Sequence, residues 1–236
     1  MFVLTRPALT VIGHCWPPTA WTGLVGCKIT KKSWNGKEKS EKNAFSRKIL
    51  LPLHSVMSDF AFELAKLLSL EGSDFIQQLK LIASLRDFRL LDGETGIFTV
   101  GGEKCGDYNN LLNAAHKAVS HGYRVYILPN PKGVRSADFI FEQKGIYKLY
   151  DLKTISGSAS VGNRLKESIG QTNRVLLNMK CSYEGRLLAS EIKKYFQIAP
   201  NAVEVMIFKG NKIIIVDRIF VNNPQYDRLF RKRYER

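Results

Sequence analysis

Residues 137–153 read ADFIFEQKGIYKLYDLK, and the way this stretch pairs decides the fold. Two short alternating runs, DFIF and IYKLYDLK, flank a turn at EQKG, so the pattern predicts a β-hairpin. Acids stand at its open end: Asp138 enters the first strand, and Asp151 and Lys153 close the second. A two-residue turn at Lys144-Gly145 puts Asp138 opposite Asp151, whereas a four-residue turn puts it opposite Leu149. In either register both carboxylates lie at one end of the hairpin. Side chains alternate across a strand, so Asp151 and Lys153 share a face. With Asp138 on that face too, the like charges repel. A hard divalent cation removes the conflict, because Mg²⁺ takes one or two carboxylates and keeps several waters. Asp138 and Asp151 are therefore the predicted holders of Mg²⁺ or Mn²⁺. Lys153 is the predicted cation that orients a water or neutralises developing charge. The plainer reading is a surface Asp–Lys salt bridge, worth about 0–1 kcal/mol.

On the C-terminal side of the hairpin, ASVGNRLKESIGQ predicts a helix, NRVLLNM a strand and EGRLLASEIKKYF an amphipathic helix. AVEVMIF and KIIIVDR predict a last hairpin turned at KGN. On the N-terminal side, DYNNLLNAAHKAVSHG predicts a helix closed by Gly122 and YRVYIL a strand. Helices alternating with hairpins define an α/β or mixed α+β fold around a mixed sheet. Further upstream, SVMSDFAFELAKLLSL and SDFIQQLKLIASLRDF predict a helical hairpin, and RLLDGETGIFTVGG a short β-hairpin. The expected organisation is a disordered basic leader and linker over 1–48, a helical accessory region over 49–100, the main domain over 101–220 and a basic tail over 221–236.

The chain has 236 residues, 44% of them hydrophobic, which is enough for one sizeable core. Its formal net charge is +15, and such an excess calls for a polyanion or an anionic surface. No apolar run is long enough to span a bilayer, so nucleic acid is the simpler partner. Cys15, Cys27, Cys105 and Cys181 are far apart and form no metal-type spacing, which predicts free thiols. The N-terminal stretch ends in LVGC, similar to a lipoprotein cleavage box, but His14, Pro17 and Pro18 interrupt its apolar run. A disordered or non-native leader is expected there and a cytoplasmic site of action, with secretion or lipoprotein anchoring as the alternative.

SADFIF and YDLK resemble the PD-(D/E)XK nuclease superfamily, with Ala137 where proline is usual. HGYRVYILPNPKGVRSADFIF, YDLKTI and NRLKESIGQTNRVLLNM together resemble the C-terminal tRNase domain of CdiA-type contact-dependent inhibition toxins. The resemblance covers about residues 107–217. It implies a central mixed sheet flanked by helices and a metal-dependent nuclease with Asp138, Asp151 and Lys153 as catalytic residues. It also implies an acidic immunity partner. The family commonly carries a glutamate on the first helix. NNLLNAAHKAV offers none, and Asn113 stands in roughly its place as an uncharged third metal ligand. His116 on the same helix reads as a surface or partly buried histidine. Thr154, Asn163, Arg164, Gln171 and Arg174 are the candidate substrate contacts around the site. Arg164 and Gln171 are expected to share a helix face two turns apart. The tail RLFRKRYER is expected either to track a phosphate backbone or to fray. RNA, tRNA in particular, is the expected substrate. A non-catalytic nucleic-acid-binding module and a DNA endonuclease are the alternatives.

Overall fold

A computed structural model describes residues 62–67, 69–101, 106–129, 136–157 and 161–236. The leader and linker over 1–48, the start of the helix expected from Ser55, and Cys15, Cys27 and Cys105 lie outside them. The expected hairpin is present, with β4 (Phe139–Gln143) paired antiparallel to β5 (Ile146–Ile155) and Gln143 opposite Ile146. The two-residue turn is therefore the one adopted. Lys144 and Gly145 both take positive φ, 53° and 78°, which matches the turn to the twist of the strands.

Six further strands extend this pair into one eight-stranded sheet in chain order. They are β1 (Arg89–Leu90), β2 (Ile97–Thr99), β3 (Arg124–Ile127), β6 (Arg174–Met179), β7 (Glu204–Lys209) and β8 (Lys212–Asp217). β2–β3, β5–β6 and β6–β7 pair parallel and the rest antiparallel, so the sheet is mixed. The central strands β6 and β7 are buried almost throughout, which explains their unbroken apolar runs. Edge strand β8 instead alternates in exposure.

The described helices are α1 (Gly72–Ala83), α2 (Tyr108–Ser120), α3 (Val161–Glu167), α4 (Gly185–Ile198), α5 (Arg218–Val221) and α6 (Tyr226–Glu235), together with helical residues 62–67. One face of the sheet, with Phe139, Phe141, Tyr150, Leu176, Met206 and Phe208, is covered by α2 through Leu111, Ala114, Ala115 and Ala118. The other face has two covers. Leu64, Leu67 and α1 pack on Tyr126, Ile140 and Leu149. α3, α4 and α6 pack on Val175, Leu177, Val205 and Ile207. Each fully buried Leu, Ile, Val, Phe or Met among them contributes about 1.5–3 kcal/mol. Residues expected to form an accessory region thus share the sheet and core of the remainder.

The placement of α2 has a topological cause. β2, β3, β5 and β6 run in one direction, and the β2–α2–β3 and β5–α3–β6 connections step the same way across the sheet. Crossovers of equal hand would put α2 and α3 on one face. They lie on opposite faces, so the two crossovers have opposite hands.

A buried carboxylate–lysine cluster as candidate functional site

Asp138 stands one step before β4. Its N–H donates to Tyr150 O at 3.0 Å and its carbonyl accepts from Leu128 N at 2.9 Å, which continues the sheet ladder past Phe139. In the observed register Asp138 falls opposite Asp151. Alternation puts Asp138 on the face of Ile140, and Asp151 and Lys153 on the face of Leu149, which is the same face. The structure thus brings the three predicted residues together.

Asp151 is 1% exposed, and its carboxylate lies against Lys153, with Nζ 3.1 Å from Oδ1 and 2.9 Å from Oδ2. The Oδ2 contact is an ion pair without a directed hydrogen bond. Asp138 Oδ2 accepts from Leu152 N at 2.7 Å. Burial, and next the charge of Asp151, push the Asp138 carboxyl up to about 7; the Leu152 N–H and Lys153 pull the other way. Burial also raises Asp151, against the opposing pull of Lys153. One lysine does not balance two desolvated carboxylates, so the cluster holds excess negative charge or a proton.

That imbalance suits a divalent cation. Among the described residues no group of three or more His, Cys, Asp or Glu side chains could hold a metal. Asp138 and Asp151 are the two acids that meet across the hairpin on this face. Two carboxylates with waters fit the habits of Mg²⁺ and Mn²⁺.

Asn113 does not join them. It lies on α2, where its Oδ1 accepts from Asn178 Nδ2 at 2.9 Å. Asn178 pairs with Thr154, so all three belong to the α2 face, opposite the carboxylates. Thr154 is separated from the cluster for the same reason. Arg174 is as well: it pairs with Glu204 in the sheet and donates to Asn173 Oδ1 at 3.0 Å. Arg164 and Asn163 are exposed on α3, on the side of the carboxylates, and Arg164 pairs with Glu167 at 3.1 Å. Gln171 lies beyond the end of α3 and donates to Glu167 O at 2.9 Å, so it does not continue a helical stripe from Arg164. His116 contacts Glu94 at 2.7 Å and stays exposed. Tyr150 is buried on the α2 face, and its hydroxyl donates to Glu204.

Sequence reasoning missed two acids on the carboxylate face. Glu167 at the end of α3 raises Asp151 through its charge. Glu63 lies in the helical stretch that covers this face and accepts from the buried Gln78. Helical spacing made Glu63 legible as a surface position, but only packing shows which face its helix covers.

Fold and cluster together define a mixed α/β protein with a buried carboxylate–lysine group on its central sheet. No family model matches the chain, and no curated protein does. Among solved structures, the chain is similar to the CdiA-CT/CdiI toxin and immunity complex from Burkholderia pseudomallei, at 15% identity and a TM-score of 0.33 over 50% of this chain and 90% of that chain. No helix among the described residues is long and apolar enough to cross a membrane.

Proposed function

We propose that the chain is a metal-dependent phosphodiesterase acting on nucleic acid, with RNA, tRNA first, as its substrate. The observation that supports this reading is the gathering of Asp138, Asp151 and Lys153 on one buried face of the sheet. Asp138 and Asp151 hold Mg²⁺ or Mn²⁺, and the Leu152 N–H fixes the Asp138 carboxylate for that task. A bound cation supplies Lewis-acid polarisation of the phosphodiester and a more acidic water. Lys153 moves from its pairing with Asp151 to the negative charge that develops on the phosphoryl group. The net charge of +15 draws the polyanion in. A domain of this kind acts in the cytoplasm and is restrained by an acidic immunity protein.

The test is a cleavage gel on tRNA, other RNA and DNA with Mg²⁺ or Mn²⁺, with EDTA as control. Asp151→Asn is expected to reduce metal-dependent cleavage at least ~10²-fold with the fold intact. Absence of cleavage by the wild type on every substrate would leave a nucleic-acid-binding module in its place.

A further inference from the structure

The interface between α2 and the C-terminal ends of β5 and β6 is polar where a helix on a sheet is ordinarily apolar. Asn110, Asn113 and Lys117 recur on α2 at spacings that share one side of the helix. They meet Asn178 of β6 and Lys180, the residue just after that strand. Lys117 Nζ donates to Asn178 Oδ1 at 2.7 Å, Asn178 Nδ2 to Asn113 Oδ1 at 2.9 Å, and Lys180 Nζ to Asn110 Oδ1 at 2.7 Å. Asn178 is 0% exposed. Beside it in the sheet is Thr154, whose buried Oγ1 has no hydrogen-bond partner.

Donors outnumber acceptors at this interface. Each ammonium carries three N–H donors, and the structure shows one hydrogen bond for each lysine. Among the described residues neither Lys117 nor Lys180 forms an ion pair. The acid that touches the group, Asp107, accepts from Asn110 and not from a lysine. Two cations, a fully buried amide and, beside that amide in the sheet, an orphaned hydroxyl thus lie together, and among the described residues neither cation is paired with an anion.

We propose that this interface is a binding site for a phosphate group, supplied by a terminal phosphate of a nucleic acid. A phosphate oxyanion accepts from both ammonium groups and from the Thr154 hydroxyl, and it supplies the missing negative charge. Burial and the neighbouring Lys180 lower the Lys117 pKa, a cost that a bound anion offsets. Because the site lies on the sheet face opposite Asp138 and Asp151, it does not rest on the proposed catalytic activity.

The probe is inorganic phosphate, titrated by calorimetry against the full chain, with chloride at matched ionic strength as the reference. Phosphate should bind the wild type, and Lys117→Met and Lys180→Met should each weaken it by ~10-fold, the loss expected for one charge-assisted hydrogen bond. Thr154→Val should weaken it less, and Lys212→Met, at an exposed lysine of edge strand β8, should leave it unchanged. Lys180 is exposed, so its variant keeps the fold and stays informative if Lys117→Met does not express. Heat from phosphate indistinguishable from that of chloride, or equal binding by wild type and both lysine variants, would overturn the site. A second titration compares 5′-phosphorylated with 5′-hydroxyl RNA oligonucleotides. Tighter binding of the phosphorylated form supports the nucleic-acid source, and equal binding overturns that source.

Discussion

Asp138 shows at the scale of one residue how a site opposes stability. Its carboxyl is raised from 3.8 to about 7 in the folded protein, chiefly by burial and then by Asp151. Between those values the folded state holds a proton that the unfolded chain has released. The stabilisation is thus fully present below about pH 4 and is lost as pH rises through 7. Urea titrations of the metal-free protein should show that loss, on the order of 1–4 kcal/mol at about 1.4 kcal/mol per pKa unit. Asp138→Asn should remove the Asp138 share of the pH dependence, leaving that of Asp151, and make the metal-free protein more stable at pH above 7. A wild-type stability flat across this range would show that the two carboxylates do not share a desolvated corner. Lys153 belongs to the same scale. Lys153→Met keeps much of the stem and removes the charge. It should abolish cleavage while changing RNA affinity little, because one lysine is a small part of the basic surface. Equal cleavage by the two proteins would remove Lys153 from the mechanism.

At the scale of an element, α6 changes the meaning of the basic tail. The segment RLFRKRYER is neither frayed nor extended. It is helical and buries Phe230 and Tyr234, with Tyr226 at the start of the same helix, among residues of α4 and the sheet. Arg228, Arg231 and Lys232 remain exposed on its outer side, and Arg233 stacks over Phe220 at 4.3 Å. Removing the tail would therefore unfold part of the core as well as remove charge. Phe230→Ala should cost about 3–5 kcal/mol by urea denaturation. Arg231→Gln with Lys232→Gln should leave that stability within about 0.5 kcal/mol. If α6 tracks a phosphate backbone, this double variant should also reduce the salt slope of RNA binding by about one contact. An unchanged slope would assign the helix to packing alone.

At the scale of the whole molecule, the sheet separates two chemistries. The carboxylate cluster lies on the face of α1, α3 and α4, and the Lys117–Asn178 group on the face of α2. A third polar group, Lys148 and Tyr150 on Glu204, ties β5 to β7 on the α2 face. It satisfies the buried Glu204 carboxylate, 5% exposed, with two donors. Net charge acts over the entire surface. RNA affinity should fall steeply and linearly on a log–log plot as salt rises, with a slope of about 0.7 per phosphate neutralised on single strands. Filter binding over a salt series measures it, and a shallow slope would mean that the basic residues do not face the nucleic acid.

The amino-acid sequence by itself determined the hairpin, its acids and the shared face of Asp151 and Lys153. Strand alternation is a local, period-two property that pairing does not alter. It also determined the order of helices and strands between residues 107 and 217, where apolar period and turn residues agree, but not the two helices that follow. The turn at Lys144-Gly145, and with it the position of Asp138 opposite Asp151, needed the choice between two registers that the fold makes. What tertiary structure alone decided was which helix covers which face. That choice depends on the hand of each crossover, which leaves no mark in the spacing of residues within a helix. Oppositely handed connections carry Asn113 away from the carboxylates and place it with Asn178, and they leave the carboxylate face to α1, α3 and α4.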